Sequence, residues 1–380
     1  MKFERTPVSQ EALRKIYSQF RLYGGFLEGA PYGSGHINDT FAVNASQGGT
    51  PVRYIFQRIN HGIFTEPEKL MENIARVCAH NNQRCRESAL ADGSRRVLSI
   101  VPALGGEPFV RDEHGYYWRC YLFIEQAQTY DKIESPAQAR EAAKAFGAFQ
   151  QSLADLEGDR LHETIPDFHN TVARFQKLVS AVESDPCNRA ATVQNEIQFF
   201  TQRENDAGRL LAMQNVGELP ERVTHNDCKL NNVMIDDKTG EGICVIDLDT
   251  AMPGLALYDF GDLVRTATSP ALEDEKDLSQ VRMQMPMFEA LVEGYLAGTG
   301  SMLPPAERAE LAFSGKLITM EIGIRFLTDF LEGDTYFKVH REGHNLDRCR
   351  TQIALVQSIE EQFEAMNAKV NEFAQKGSIS

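Results

Sequence analysis

The stretch from Val223 to Asp249, VTHNDCKLNNVMIDDKTGEGICVIDLD, constrains this chain more than any other. Two short apolar runs, VMI and GICVI, flank the turn-rich segment DDKTGEG. That spacing predicts a tight hairpin, with β-branched residues on either side of turn formers. His225 to Asn232 precede the first strand, and Asp247, Leu248 and Asp249 follow the second. One hairpin therefore delivers a histidine, two carboxylates, a lysine and an asparagine to the same end, where loops gather chemistry over a rigid scaffold.

The spacing H-x-D-x-K-x-x-N (His225, Asp227, Lys229, Asn232), with Asp247 after a hydrophobic strand, resembles the catalytic and metal loops of protein-kinase-like phosphotransferases. The resemblance implies that Asp227 accepts the proton of an attacking hydroxyl and that Lys229 neutralises charge on the moving phosphoryl group. It implies Asn232 and Asp247 as magnesium ligands, with Asp249 as a further one. Phosphoryl transfer needs hard oxygen ligands for a metal that keeps several waters, and one carboxylate plus one amide oxygen supply them. Any one of these residues is as readily a plain turn former; their joint spacing across a strand is not. The literal triplet Asp259-Phe260-Gly261 lies too far from Asp227 to close the strand, so Asp247 is the expected metal ligand and Asp259 a brace for the loop.

Composition narrows the class. With 380 residues the chain can bury one large core or two lobes, and 42% hydrophobic against 24% charged residues are values for a globular protein. A formal net charge of −15 repels nucleic acid and anionic membranes, and neither is expected as a partner. Nor is a protein partner implied. Seven cysteines without CxxC or zinc spacing suit a reducing compartment, and Cys228 reads as a small packing residue. The N-terminus has no apolar signal core and no run reaches membrane-span length, so a cytoplasmic location is expected.

Read in order, residues 8–22 form an amphipathic helix and residues 32–43 and 52–59 two strands joined by a Gly-Gly turn. Gly33 and Gly35 give a Gly-x-Gly approach that lets backbone come close to phosphates, or a plain turn. At the position where a kinase small lobe offers a lysine, the second strand has Gln57, with Arg58 next to it as a possible substitute. A helix over 66–80 follows, with Glu72 more readily solvated than facing the strand. Strands over 97–101 and 116–124 end at Glu125, where strand-rich gives way to helix-rich composition. The expected lobes are residues 1–125, binding nucleotide, and 126–380, catalytic and sugar-binding, with a hinge at Glu125 offering backbone groups to adenine. Ser135 and Pro136 open a helix, and others are expected near 170–183, 188–214, 271–298, 305–331 and 345–375. In the helix expected over 305–331, Glu321, Arg325 and Asp329 fall along one face, a pattern that spacing alone assigns to solvated ion bridges.

The motifs YGSGHIND (32–39), RVTHNDCKLNNV (222–233), VIDLDTAMPG (245–254), LYDFGD (257–262), ALEDEKDLS (271–279), RFLTDFLEGDTYF (325–337) and HNLDRCRTQI (344–353) together resemble the N-acetylhexosamine 1-kinases. These are anomeric sugar kinases of the aminoglycoside-phosphotransferase and choline-kinase-like superfamily. The resemblance implies an α+β, bilobal, protein-kinase-like fold with a small β-rich N-lobe and a large helical C-lobe. It implies ATP and Mg2+ as cofactors, a small-molecule sugar as substrate, and phosphorylation of the anomeric hydroxyl of N-acetylglucosamine or N-acetylgalactosamine. It places His36, Arg325 and Tyr336 in the sugar pocket beside Asp227. Thr266 stands where the sugar kinases are expected to carry an aromatic residue, which bears on acceptor identity. The rival readings are the same chemistry on another hexose, choline or an aminoglycoside, and a nucleotide-binding protein without catalysis, suggested by Gln57.

Overall fold

The chain begins with a helix shorter than its sequence pattern. The computed structural model describes residues 7–33, 35, 37–88 and 92–376. Helix α1 (Gln10–Tyr17) starts where Ser9 Oγ accepts the Ala12 N–H at 3.1 Å, a side-chain N-cap. It stops at Tyr17 because the following residues bond elsewhere: Arg21 N–H donates to the Pro102 carbonyl at 2.9 Å, and Phe20 bridges to Ala103. A five-stranded antiparallel sheet follows, built from β1 (Gly25–Pro31), β2 (Asp39–Gln47), β3 (Thr50–Arg58), β4 (Val110–Arg111) and β5 (Tyr117–Leu122) in the order β1-β2-β3-β5-β4. Strand β1 escaped the sequence reading because GFLEGAP, an edge strand largely exposed on both faces, has no alternating apolar pattern. The strand expected over 97–101 is only a bridge beside β5, with Val101 N–H donating to Cys120 O at 2.8 Å, and Pro102, which has no N–H, cannot extend it.

Strand alternation sorts the sheet's side chains into two jobs. Tyr54, Phe56, Trp118 and Cys120 pack with Leu13, Ile16 and Tyr17 of α1 in a small-lobe core. Arg53, Ile55 and Gln57 of β3, with Arg119 and Tyr121 of β5, point the other way, and Tyr121 joins the large core together with Leu70, Ile74 and Val77 of α2 (Pro67–Glu87). Residues 123–126 lead to β6 (Ala127–Gln128), which pairs antiparallel with the hairpin anticipated within residues 223–249. Ile124 and Ala127 pack there on Met234, Ile243 and Cys244.

The large lobe is helical: α3 (Pro136–Ser152), α4 (Thr171–Ser184), α5 (Gln194–Thr201), α6 (Glu204–Ala207) and α7 (Arg209–Asn215) precede the hairpin. The hairpin segment holds β7 (Arg222–Thr224), β8 (Val233–Asp236), β9 (Gly242–Val245) and β10 (Met252–Gly254). After it come α8 (Ala256–Ala267), α9 (Met285–Thr299), α10 (Pro305–Ala309), α11 (Leu311–Leu331), α12 (His344–Glu361) and α13 (Phe363–Lys376). This is the α+β, bilobal architecture, with a small antiparallel sheet and a large helical lobe.

Several helix boundaries differ from the periodic pattern, each for a local reason. The helix expected over 188–214 is broken into α5, α6 and α7, the last two parted by Gly208, a poor helix former. The one expected over 271–298 begins only at Met285, since Glu273, Asp274, Glu275 and Asp277 repel along a helical turn and are instead drawn to arginines, Glu273 to Arg265 and Asp274 to Arg341. Helix α8 was not anticipated.

Glycines set the closest helix contact. On α3 and α9, an added Cβ at Gly294 would lie 2.1 Å from Arg140 O, and one at Gly298 2.3 Å from Lys144 O. Backbones that close leave no room to repack. Gly294→Ala is therefore expected to cost about 2 kcal/mol or more in a chemical-denaturation curve, whereas Gly25→Ala, with nothing within 4 Å, should leave the midpoint unchanged.

Candidate active site

Strands β7 and β10 pair with Thr224 opposite Met252, which sets the loop after β7 beside the loop before β10. The backbone of the first loop is tied down residue by residue. His225 N–H and Asn226 N–H donate to the two oxygens of Asp259 at 2.9 and 2.7 Å, and Gln150 donates to the same carboxylate. Asn226 takes a left-handed φ of 64°, uncommon for a residue with a Cβ. His225 Nε2 faces the Ile246 carbonyl at 2.9 Å while its Nδ1 accepts the Asp227 N–H at 3.3 Å, so the ring is the Nε2–H tautomer. Thr250 Oγ1 donates to His225 O at 2.7 Å, joining the two loops. Asp259 thus acts as the anticipated brace.

Asp227 stands at the end of this braced segment. Its Oδ2 lies 3.1 Å from both Lys229 Nζ and Asn232 Nδ2. Loss of hydration, the largest single effect, would raise its pKa, but Lys229, His225 and the hydrogen bonds from Lys229 and Asn232 together hold the carboxyl below its usual range. Asn232 Nδ2 also donates to Asp227 O at 2.9 Å, which leaves Asn232 Oδ1 accepting no hydrogen bond among the described residues. Asp247, with φ 60°, accepts none either. Loss of hydration, then the negative charges of Asp249 and Asp227, push its carboxyl up to about 6. An uncommitted carboxylate and an uncommitted amide oxygen, with excess negative charge between them, fit a hard divalent cation that keeps its remaining waters. Asp249 does not complete the set: Arg119 takes its Oδ1, and Asn38 Nδ2 donates to Oδ2 at 2.6 Å. No cluster of three or more His, Cys, Asp or Glu side chains that could hold a metal occurs among the described residues.

Arg119 answers the missing small-lobe lysine. It sits directly opposite Gln57 in the β3–β5 ladder, and its Nε donates to Gln57 Oε1 at 2.9 Å while the guanidinium grips Asp249. Burial would favour the neutral form, but Asp249 beside it keeps Arg119 charged. A buried cation thus stands beside Gln57, one strand over, committed to Asp249 and Gln57. Arg58 is not its substitute: its side chain lies on the other face of the sheet, 2.6 Å from Asp39 and over the rings of Tyr116 and Trp118. A lone arginine in the otherwise apolar run YYWRCYLF was the available signal, because a buried guanidinium must have a partner.

At the hinge, the Glu125 carboxylate pairs with Arg53, so its side chain is spent at the surface. Arg95, missed in the sequence, donates to the Glu125 and Gln126 carbonyls at 2.9 Å each and to Asp236 at 2.7 Å, fastening the linker to the hairpin. Gly33, with φ 78°, and Gly35 are exposed with nothing within 4 Å of an added Cβ. Glu72 faces solvent beside His162.

The structure brings Arg325 and Tyr336 together, with Nη2 3.5 Å from the phenol oxygen. Phe168, Tyr336 and Phe337 surround the Arg325 guanidinium at 5.4 to 5.8 Å. His36 lies outside the described residues. Thr266 Oγ1 lies 2.8 Å from Asp262 O and 3.2 Å from Cys228 O, so a small hydroxyl stands against the Asp227 loop at that position. Cys228 is buried, which pushes its thiol well above the usual range and suits packing. The charged stripe on α11 is not a solvated face. Glu321 and Asp329 are buried, Asp329 accepting the N–H groups of Thr335, Tyr336 and Phe337 at 2.7 to 2.9 Å and so fixing the turn that carries Tyr336.

Removing Asp259 would strand two buried N–H groups of the catalytic loop. Asp259→Ala is expected to lower stability by roughly 2 to 4 kcal/mol and to speed amide exchange at His225 and Asn226. A variant with unchanged exchange there would deny the brace.

Comparison with known proteins agrees with this geometry. The chain matches the family described as a phosphotransferase enzyme family over residues 28–311. Its fold is similar to an aminoglycoside phosphotransferase from Alicyclobacillus acidocaldarius, with TM-score 0.56 and 14% identity over 99% of this chain and 98% of that one. It is similar also to an ethanolamine kinase from Plasmodium vivax, with TM-score 0.51 and 13% identity over 86% and 82%. The AMP-bound spectinomycin phosphotransferase gives 0.50 and 11% over 92% and 98%. With a family match spanning most of its length and the same fold in these proteins, the chain belongs to the phosphotransferase enzyme family.

Proposed function

We propose that this phosphotransferase transfers the γ-phosphoryl group of ATP to the anomeric hydroxyl of N-acetylglucosamine or N-acetylgalactosamine, giving the α-1-phosphate. The observation that carries the acceptor half is the Arg325–Tyr336 pair, in which a side chain of α11 meets one from the turn after it, while Glu321 of the same helix holds His169 against the Asn226 carbonyl. Those two groups suit ring hydroxyls and an acetamide oxygen. The same geometry argues against the rivals. The aromatic rings at this site already enclose a guanidinium, so a quaternary ammonium would meet a cation rather than an empty cage. A polycationic aminoglycoside would meet that same charge. A purely nucleotide-binding role is disfavoured by the joint presence of Asp227, Lys229, Asn232 and Asp247.

In this reading the anomeric oxygen attacks the γ-phosphorus as its bond to the β,γ-bridging oxygen breaks, and ADP leaves. Asp227 takes the hydroxyl proton, and its lowered pKa keeps it ionised for that step. Lys229 lies beside the developing charge. Asn232 Oδ1 and Asp247 would hold magnesium, which supplies charge neutralisation to the phosphates. Arg119, through Asp249 and Gln57, holds the small lobe's sheet against the metal loop. Gly33 and Gly35 leave space for phosphates under the backbone, and residues around Glu125 offer hinge groups to adenine.

Asp227→Asn should leave ATP affinity nearly unchanged and lower kcat by about 100-fold or more; wild-type turnover at saturating substrates would remove Asp227 from the step. Asp247→Ala should raise the magnesium concentration needed for half-maximal nucleotide binding, measured by calorimetry, by at least about 10-fold. The acceptor is settled by phosphorus NMR of the product. A phosphate on C1 and no turnover of the methyl glycoside are expected; a phosphate on C6, or full activity with the methyl glycoside, refutes the anomeric reading.

A further inference from the structure

Behind the loop that carries Asp227 lies a buried charged pair that the steps above do not use. His169, from the segment before α4, is almost fully buried, and Glu321, in the middle of α11, has no exposed surface. His169 Nδ1 lies 2.9 Å from Glu321 Oε1, and Nε2 lies 3.1 Å from the backbone oxygen of Asn226. The other Glu321 oxygen accepts Thr171 Oγ1 at 2.6 Å.

A neutral imidazole offers one N–H and one lone pair. Here both ring nitrogens face oxygens, one a carbonyl and one a carboxylate, so each nitrogen needs a hydrogen to make its contact. The charged and titratable groups around the pair are Asp262 and Tyr258 on α8, Arg325 on α11 and Arg174 on α4. Burial, the largest single effect, would drive the proton off His169; the Glu321 carboxylate, Asp262 and the Asn226 carbonyl together outweigh it and raise the imidazole above its ordinary value.

What the ring holds is the peptide that sets Asp227. The Asn226 carbonyl and the Asp227 N–H belong to one planar unit. His169 grips its oxygen, and His225 Nδ1 accepts its N–H at 3.3 Å. That unit follows a residue at φ 64°, where the surroundings must over-determine the backbone. We propose that His169 is a permanent imidazolium that positions Asp227, with Glu321 as its fixed counterion. The assignment of Asp227 as base, on which this rests, comes from the reading above; the charge state of His169 does not depend on it. Because Arg325 lies one turn beyond Glu321 on α11, the same helix turn joins the acceptor pocket to the base.

The test is nitrogen NMR of the full chain with 15N-labelled histidine, His169 being assigned among the nine histidines by its loss in His169→Gln. Both His169 ring nitrogens should stay protonated from pH 6 to about 8.5. Glu321→Gln, which keeps the shape, should turn the ring into the neutral Nε2–H tautomer, whereas Glu321→Asp keeps the imidazolium. A wild-type His169 lacking hydrogen on Nδ1 at pH 7.5 overturns the charge assignment. For the positioning role, kcat of Glu321→Gln on whichever sugar turns over should fall roughly 10- to 100-fold, with both KM values within about twofold, the scale of uniform binding left intact. Glu321→Asp should recover most of that loss. Wild-type kcat in Glu321→Gln with a neutral ring would overturn the role, even if product analysis supports the anomeric reading. A product phosphorylated elsewhere than C1 would refute the anomeric reading and leave the His169 result standing.

Discussion

Two backbone N–H groups on one buried carboxylate set the geometry on which this site depends. Asp259 accepts from His225 and Asn226, and that fixes where the chain turns into a left-handed residue just before Asp227. Neither donor has a backbone partner, because a chain leaving β7 for a loop has no ladder to join. Helix α8 supplies the acceptor from its first turn, and its Gly261 lets it press on α11, where an added Cβ would sit 2.4 Å from Ser314 O. Packing between two helices thus sets the position of a carboxylate, and the carboxylate sets the loop.

The hairpin was legible because its chemistry is contiguous: spacing alone brings Asp227, Lys229, Asn232 and Asp247 to one end. Sheet strands with β-branched or aromatic alternation, such as β2 and β3, were legible for the same reason. What the sequence hid was pairing across distance. Arg119 meets Asp249 across 130 residues, His169 meets Glu321 across 152, and Arg95 meets Asp236 across 141. No local period encodes such contacts; the sequence marks them only as charges inside apolar runs, which demand a partner without naming it. The α11 stripe illustrates the ambiguity. Its i, i+4, i+8 spacing fits a solvated ladder, yet burial sends Glu321 to a histidine and Asp329 to backbone amides.

Helix ends followed the same rule. Where a cap was written locally, as at Ser135 with Pro136, the start was plain. Where a helix ended without such a signal, as at Gln362 between α12 and α13, whose side-chain Nε2 donates to Met283 O at 2.9 Å, periodicity ran straight through the break. Sequence period records which face is apolar, and tertiary hydrogen bonds decide where the helix stops.

Five aspartates crowd this end of the large lobe, and their partners divide the labour among them. Asp259 is consumed by backbone amides, Asp262 by Arg265 at 2.8 Å, and Asp249 by Arg119 and Asn38. Asp227 shares one oxygen between Lys229 and Asn232. Only Asp247 is left with neither a cation nor a hydrogen-bond donor among the described residues, and its raised pKa reflects that imbalance. Like-charged carboxylates this close repel unless something positive intervenes. That asymmetry, rather than the count of acidic groups, supports the reading that a magnesium nucleotide docks at Asp247 and Asn232 while the other carboxylates hold the protein in shape.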